Sequence, residues 1–397
     1  MLSDILTAVD RGDLAALVLL DLSAAFDTVD HSILLERLRR SFGITDSAHS
    51  WLSSYLTGRE QCVRSGGFVS QSTALVCGVP QGSVLGPMLF VLYTADLQAV
   101  VERHGLTPHF YADDCQICGF CRPCDVRTLS QGLVDCVDDV AQWMRSNRLQ
   151  LNVNKTDLLW CSTSRRSTQL PTGPLAFGGF DVVPSQSVRN LGVFFDADLS
   201  LRTHIDVVVS RCFAALRQLR SIRRYVSVSV CQSLVSSLVL TRLDYCNSVA
   251  FGLPALQLRR LQAVQNAAAR LIFNLRRTEH ISDALMCLHW LRVTERVRFK
   301  MAVLVYKSLH GSMPLYFSHT FTPLSTAGRR TLRSSASHQL LVPRCRLSTI
   351  GDRAFPVAGA TIWNTLPPDV ASSPNLNIFR SRLKTFLFSL SYPGAVI

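Results

Sequence analysis

Lysine is almost missing from this chain. Its 41 basic residues are 37 Arg and only 4 Lys, and Lys155 is the sole lysine before Lys300. Guanidinium groups stay charged in proteins, whereas an ammonium can shift its pKa and give up a proton. A lone lysine against that background is a candidate proton donor. Long apolar runs are also lacking. Stretches such as 14–20 fall far short of the roughly 20 residues that span a bilayer. Asp4, Asp10 and Asp13 interrupt the N-terminal region, which excludes a signal-peptide apolar core. No repeat of fixed period occurs. The 13 cysteines show no secreted framework and read as reduced intracellular thiols.

What is present is enough apolar material to fold. With 397 residues and 48% apolar content, two or three compact domains can each bury a core. Charge is unevenly spread. Residues 1–199 hold 15 Lys and Arg against 21 Asp and Glu, a net of −6. Residues 200–397 hold 26 against 7, a net of +19. An acidic half joined to a strongly basic half points to metal-ion chemistry beside a polyanion-binding surface.

The apolar run Leu17-Val18-Leu19-Leu20 predicts a buried strand that ends on Asp21. Residues 31–42 have helical spacing (Ile33, Leu34, Leu38), with His31-Ser32 near the start. Gly66-Gly67 marks a turn between short strands. Ser83 to Val100 predicts one helix, with Pro87 tolerated in its first turn. Phe110-Tyr111-Ala112 and Cys115-Gln116-Ile117 flank Asp113-Asp114 as the arms of a tight hairpin. Residues 129–148 predict a helix, and 151–161 and 188–195 predict strands. Beyond about residue 199 the texture becomes helical and Arg-rich, over 203–224, 226–243, 255–277 and 281–309. In the third of these, Leu258, Leu261, Val264, Leu271 and Leu275 trace a core-facing stripe. Residues 318–350 read as a linker, and 351–390 as a small helical segment.

Three carboxylates stand out. Nucleotidyl transfer through two divalent ions needs two or three carboxylates converging from neighbouring strands. Asp21 at a strand end and Asp113-Asp114 at a hairpin tip fit that need. A single strand-end Asp is usually a cap, and an Asp pair in a hairpin is usually a turn former.

The neighbouring residues go further. The segment Leu20-Asp21-Leu22-Ser23-Ala24-Ala25-Phe26-Asp27-Thr28-Val29-Asp30-His31 resembles motif A of the reverse transcriptases of non-LTR (LINE-type, jockey-like) retrotransposons. Gly78-Val79-Pro80-Gln81-Gly82-Ser83-Val84-Leu85-Gly86-Pro87 resembles motif B, and Tyr111-Ala112-Asp113-Asp114 motif C. Leu151-Asn152-Val153-Asn154-Lys155-Thr156 resembles motif D, and Leu191-Gly192-Val193-Phe194-Phe195-Asp196 the primer-grip motif E.

The resemblance implies an α+β fold. A right-hand polymerase palm, an antiparallel sheet with packed helices, would be followed by an α-helical thumb-like region. It implies a palm over 1–199 with the fingers largely missing, a basic thumb or connection over 200–317, a linker over 318–350 and a small C-terminal helical segment over 351–397. It implies an RNA-directed DNA polymerase that uses two Mg²⁺ ions, an RNA template, a DNA primer and deoxynucleoside triphosphates. It implies that no membrane is involved and that the chain is intracellular, with the nucleus as its site of action. Asp21, Asp113 and Asp114 would hold the metal ions. Lys155 would protonate the leaving pyrophosphate. Phe26 would be the steric gate against a ribose 2′-hydroxyl, with Ala25, Gln81 and Gly82 lining the nucleotide site. The short stretch before Asp21 implies a truncated element lacking the family's upstream fingers and endonuclease.

Two readings of other classes compete. One is a catalytically inactive nucleic-acid-binding remnant of the same fold. The other is a metal–thiolate protein built on Cys115, Cys118, Cys121 and Cys124. Strand alternation argues against the second, because it sends Cys115 and Cys118 to opposite faces.

Overall fold

The computed structural model describes residues 1–324 and 338–394. The chain forms two compact units, one of Met1 with Gly12–Leu191 and one of Leu2–Arg11 with Gly192–Ile397.

The first unit is built on a four-stranded antiparallel sheet. Its strands are β1 (Leu14–Leu20), β2 (Thr107–Tyr111), β3 (Asp114–Cys121) and β4 (Asp157–Cys161). Their spatial order is β4-β1-β3-β2, so β1 is central and paired on both sides. That explains its unbroken apolar sequence: Leu14 through Val18 are fully buried, as a central strand covered on both faces demands. The helices His31–Arg40, Leu85–Tyr93 and Val126–Ser146 contribute to the same core through Leu34, Leu38, Phe90, Val137 and Met144. Asp30 caps the first of them, accepting from Ser32 N at 2.9 Å and Ile33 N at 3.0 Å, a cap typical of Asp before a helix.

Several elements are shorter than the sequence suggests. The helix expected over 83–100 is two helices, Leu85–Tyr93 and Leu97–Glu102. A turn at 94–96 separates them, and Asp96 there pairs with Arg37 (3.1 Å). Arg37 also donates to Tyr93 O and to Asn147 Oδ1, so a half-buried arginine fixes the break. The stretch 85–102 is long and apolar enough to cross a membrane by composition. Leu89, Phe90, Tyr93, Leu97, Val100 and Val101 of that stretch lie in the core. The expected strand over 151–161 opens with a short 3-10 turn, Val153–Lys155, before β4.

The second unit is mainly helical. Its long helices are Arg202–Ile222, Ala255–Phe273, Val293–Leu309 and Leu376–Ser391. Met301, Val305, Tyr306, Trp363, Phe379 and Leu383 share one core. Of the expected linker, 325–337 lies outside the described residues. Beside that gap, Phe321 and Leu340 are buried in the same core. Asp10 of the first helix accepts from Arg346 N (3.0 Å) and Leu347 N (2.7 Å). The expected stripe on Ala255–Phe273 is partly displaced: Leu261 and Val264 are buried, but Leu271 is only half-buried.

Candidate active site

Strand register brings the carboxylates together. Leu20, the last residue of β1, pairs with Cys115 of β3. One further step of an antiparallel ladder sets Asp21 opposite Asp114. The β2–β3 hairpin pairs Tyr111 with Asp114, leaving Ala112-Asp113 as a two-residue loop. Ala112 there has φ +53°, a left-handed conformation that costs an L-residue about 1–2 kcal/mol. Tight hairpins need such a residue, usually glycine. Here a strained alanine holds Asp113 at the tip.

The three carboxylates sense one another. The Asp114 carboxyl is pushed above the usual carboxylate range by burial, then by repulsion from Asp113 and from Asp21. Asp21 Oδ2 is buried without a hydrogen-bond partner, and Lys155 Nζ stands 3.3 Å from it. Among the described residues, no group of three or more His, Cys, Asp and Glu side chains is placed to hold a metal ion by itself, Asp21, Asp113 and Asp114 included. Crowded carboxylates, one of them with a buried oxygen that accepts no hydrogen bond and has only the Lys155 ammonium beside it, fit a hard cation. Magnesium is commonly held by one or two carboxylates plus substrate phosphates, not by an all-protein cage.

Lys155 reaches Asp21 by a defined route. Leu22 pairs with Leu151, and Asn152 N donates to Asp21 O at 2.8 Å. Lys155 N then donates to Asn152 O at 3.1 Å. The segment carrying the lysine is thus laced to the segment carrying the carboxylate.

The glycine-rich loop 78–86 is tied to the turn after Asp21. Val79 N donates to Phe26 O and Gly78 N to Val29 O, both at 2.8 Å. Gly78 has φ +90°, and a Cβ there would lie 2.9 Å from Asp27 O, so only glycine fits. Phe26 is half-buried, its ring 4.9 Å from that of Phe90. It therefore has both a packed face and an accessible one. Gln81 and Gly82 are exposed, and Gln81 Nε2 donates to Asp27 Oδ1 at 2.9 Å. Ala25 differs from these. Only 4% exposed, it lies in the core and offers a nucleotide no side-chain surface.

Three further residues bear on the site. Asp27 orients Gln81, and His31 Nε2 lies 2.7 Å from Gly78 O. Asp157 of β4 pairs with Leu19, and burial raises its carboxyl. Asp27 and His31 stand within the motif A string, but their links are side-chain contacts across some 50 residues that no local spacing reveals. The sequence signal for Asp157 is an acid at the head of an apolar strand.

The cysteine run splits as strand geometry requires. Cys115 and Cys118 are buried, Cys121 is half-buried and Cys124 is exposed. Burial raises the Cys115 thiol and pushes Cys121 up to about 11. Metal ligation needs the thiolate, which both sites disfavour.

A strand-end carboxylate beside a hairpin-tip pair, on an antiparallel sheet backed by helices, is the palm of a nucleic-acid polymerase. Residues 5–195 match the family described as Reverse transcriptase (RNA-dependent DNA polymerase), and this part of the chain is a reverse transcriptase domain of the non-LTR retrotransposon type. The chain is 30% identical over 221 residues to the probable RNA-directed DNA polymerase from transposon BS of Drosophila melanogaster, covering 54% of this chain and 24% of that protein. It is 29% identical over 283 residues to the probable RNA-directed DNA polymerase from transposon X-element of the same species, covering 68% and 30%. The RNA-directed DNA polymerase from mobile element jockey is 26% identical over 206 residues, 50% of this chain and 22% of that one. The chain thus spans under a third of the length of these relatives. Telomerase from Candida albicans, in complex with a fragment of telomeric RNA, aligns with 74% of this chain and 46% of its own at a TM-score of 0.43 and 11% identity.

Proposed function

We propose that this chain is the polymerase core of a non-LTR retrotransposon, extending a DNA primer on an RNA template with deoxynucleoside triphosphates. The convergence of Asp21 with Asp113-Asp114 carries the reading, with the Asp114 carboxyl raised by burial and then by the charges of the other two. Asp21, Asp113 and Asp114 would hold two Mg²⁺ ions. When bound, the ions activate the primer 3′-hydroxyl and stabilise the leaving oxygens.

The remaining roles fall to the chain's own groups. Lys155, beside Asp21, donates a proton to the departing pyrophosphate. Phe26 presents its free face to the sugar and rejects a 2′-hydroxyl by clash and lost solvation. Gln81 and Gly82 meet the incoming nucleotide or the template, with Gln81 oriented by Asp27. The arginine-rich helices beyond residue 200 hold the template–primer duplex through its phosphates. The nucleus is the proposed site of action.

Primer extension on an RNA template tests this directly. Purified chain with Mg²⁺ and deoxynucleotides is expected to lengthen a labelled DNA primer, and chelator to abolish it. Absence of extension by folded protein that binds primer–template would favour the inactive remnant.

A further inference from the structure

The second unit contains a hollow of about 590 Å³, open to solvent, between the helices Arg202–Ile222 and Ala255–Phe273. Arginines dominate its wall, and no Asp or Glu lines it. One of them is structural. Arg223 donates to Leu271 O (3.0 Å), Ile272 O (2.8 Å) and Val226 O (3.1 Å), so it satisfies the carbonyls at a helix end.

Arg270 also donates to a backbone carbonyl, Nη2 to Glu279 O at 3.4 Å, and the remaining four are not used in that way. Arg217, Arg220, Arg224 and Arg277 are exposed. None has a carboxylate partner among the ion pairs of the described residues. Arg270 Nε is buried without a hydrogen-bond partner. Phe213, Arg217 and Arg220 follow at spacings of four and three, which places them on one face of Arg202–Ile222, and Arg224 lies in the 3-10 turn that follows it. Several guanidinium groups crowded without counter-charge make a strongly positive concavity.

The floor is apolar, formed by Phe213, Leu216, Ala267, Leu271 and Leu275. Phe213 is half-buried, so its ring keeps an accessible face. This also accounts for Leu271 and Leu275, which the helical stripe assigns to the core. A free phosphate has no use for such a floor. A duplex keeps its base faces stacked inside and shows a protein phosphates, sugars and base edges, with no free base face to rest on that floor. A single strand supplies both chemistries, with charge along the backbone and a planar base face that stacks on aromatic and apolar side chains.

We propose that this hollow binds single-stranded nucleic acid, with Arg217, Arg220, Arg224 and Arg277 holding backbone phosphates while an unstacked base rests on the floor at Phe213. The site lies within one unit and needs none of the carboxylates of the other. Binding there is therefore tested without reference to polymerase activity.

The test is fluorescence anisotropy of the full chain with labelled single-stranded RNA, single-stranded DNA and an RNA–DNA duplex across a salt series. The variant Arg217→Ala/Arg224→Ala/Arg277→Ala is compared with Arg259→Ala/Arg298→Ala/Arg380→Ala, which removes equal charge from exposed positions elsewhere in the unit. The first variant is expected to weaken single-strand binding about tenfold or more and to flatten the log–log salt slope by about two, at roughly 0.7 per phosphate contact. Duplex binding, spread over all the arginine-rich helices, falls much less than single-strand binding, and the control weakens single-strand binding much less than the first variant does. Phe213→Ala weakens single-strand binding with the salt slope unchanged. The RNA and DNA arms decide which strand is preferred. Equal loss of duplex and single-strand binding, or loss matched by the control, overturns the proposal. Should the variant misfold, photo-crosslinking of 4-thiouridine RNA to the unaltered chain serves instead. Adducts within 213–224 or 267–277 support the site, and adducts only elsewhere overturn it.

Discussion

Lys155 Nζ lies 3.3 Å from Asp21 Oδ2, so the only lysine in the first three quarters of the chain sits on the carboxylate that ends the central strand. The pairing follows from backbone order. Leu22–Ser23 pairs with Gln150–Leu151, and Asn152 N binds Asp21 O. The side chain itself is largely exposed, at 68%, so the ion pair adds little stability. The role proposed for Lys155 is that of proton donor.

Lys155→Arg keeps the charge beside Asp21 but removes a group that can release a proton. If Lys155 is the general acid, kcat falls by about 10²–10⁴-fold while the nucleotide KM stays near its normal value. Lys155→Leu loses kcat and raises KM as well. Steady-state primer extension separates the two, and a Lys155→Arg enzyme with undiminished kcat contradicts the role.

Asp114 predicts a pH effect on stability. Burial and its acidic neighbours raise its carboxyl in the fold, so the folded state disfavours the ionised form. Stability from the protonated group is complete below the unfolded-state pKa and is lost as pH rises through the raised folded value. Asp114→Asn escapes that loss. In chelator, its Tm should exceed that of the parent at neutral pH, with the gap closing as pH falls below the carboxylate range. A pH-independent gap would show that repulsion is not the cause. Mg²⁺ should then raise the parent's Tm more than the variant's, because binding to the folded state stabilises it.

Gly78 and Gly82 both have positive φ, but only at Gly78 does an added Cβ meet backbone, at 2.9 Å from Asp27 O. Gly78→Ala should therefore destabilise by more than the 1–2 kcal/mol or so of left-handed strain alone, and should loosen the link between the loop and the turn carrying Phe26. Gly82→Ala, with open space around it, should show the strain alone. Chemical denaturation of the two variants checks the order.

Phe26→Val should admit ribonucleotides. The ring wall is expected to supply up to about a hundredfold of the discrimination against a 2′-hydroxyl, the scale on which an apolar pocket rejects one. The ratio of kcat/KM for deoxynucleotides to that for ribonucleotides should fall accordingly. Because the ring also packs on Phe90, some loss of stability accompanies it. An unchanged ratio would leave Phe26 a core aromatic only.

Much of this was legible in the sequence for local reasons. The strand into Asp21 is an unbroken apolar run because β1 is central. The Asp113-Asp114 hairpin is readable because its arms are apolar and its loop is short. What was hidden depends on distant partners. Nothing near Thr94–Asp96 signals a helix break, since the anchor is Arg37 on another helix. Asp27 holding Gln81 joins residues 54 apart. Ala25, expected at the nucleotide site by its place in motif A, has its side chain in the core, a burial that its place in the motif does not reveal. Leu271 and Leu275 keep helical core spacing, yet both line an arginine-walled hollow, because the facing helix presents charge there.

The central claim is that Asp21, Asp113 and Asp114 form a working nucleotidyl-transfer site. Primer extension on an RNA template, comparing the chain with Asp113→Asn, tests it most directly. The account predicts extension by the parent and a loss in the variant exceeding the roughly hundredfold cost of removing a metal's supporting partner, with primer–template binding retained. Equal extension by both proteins would contradict it.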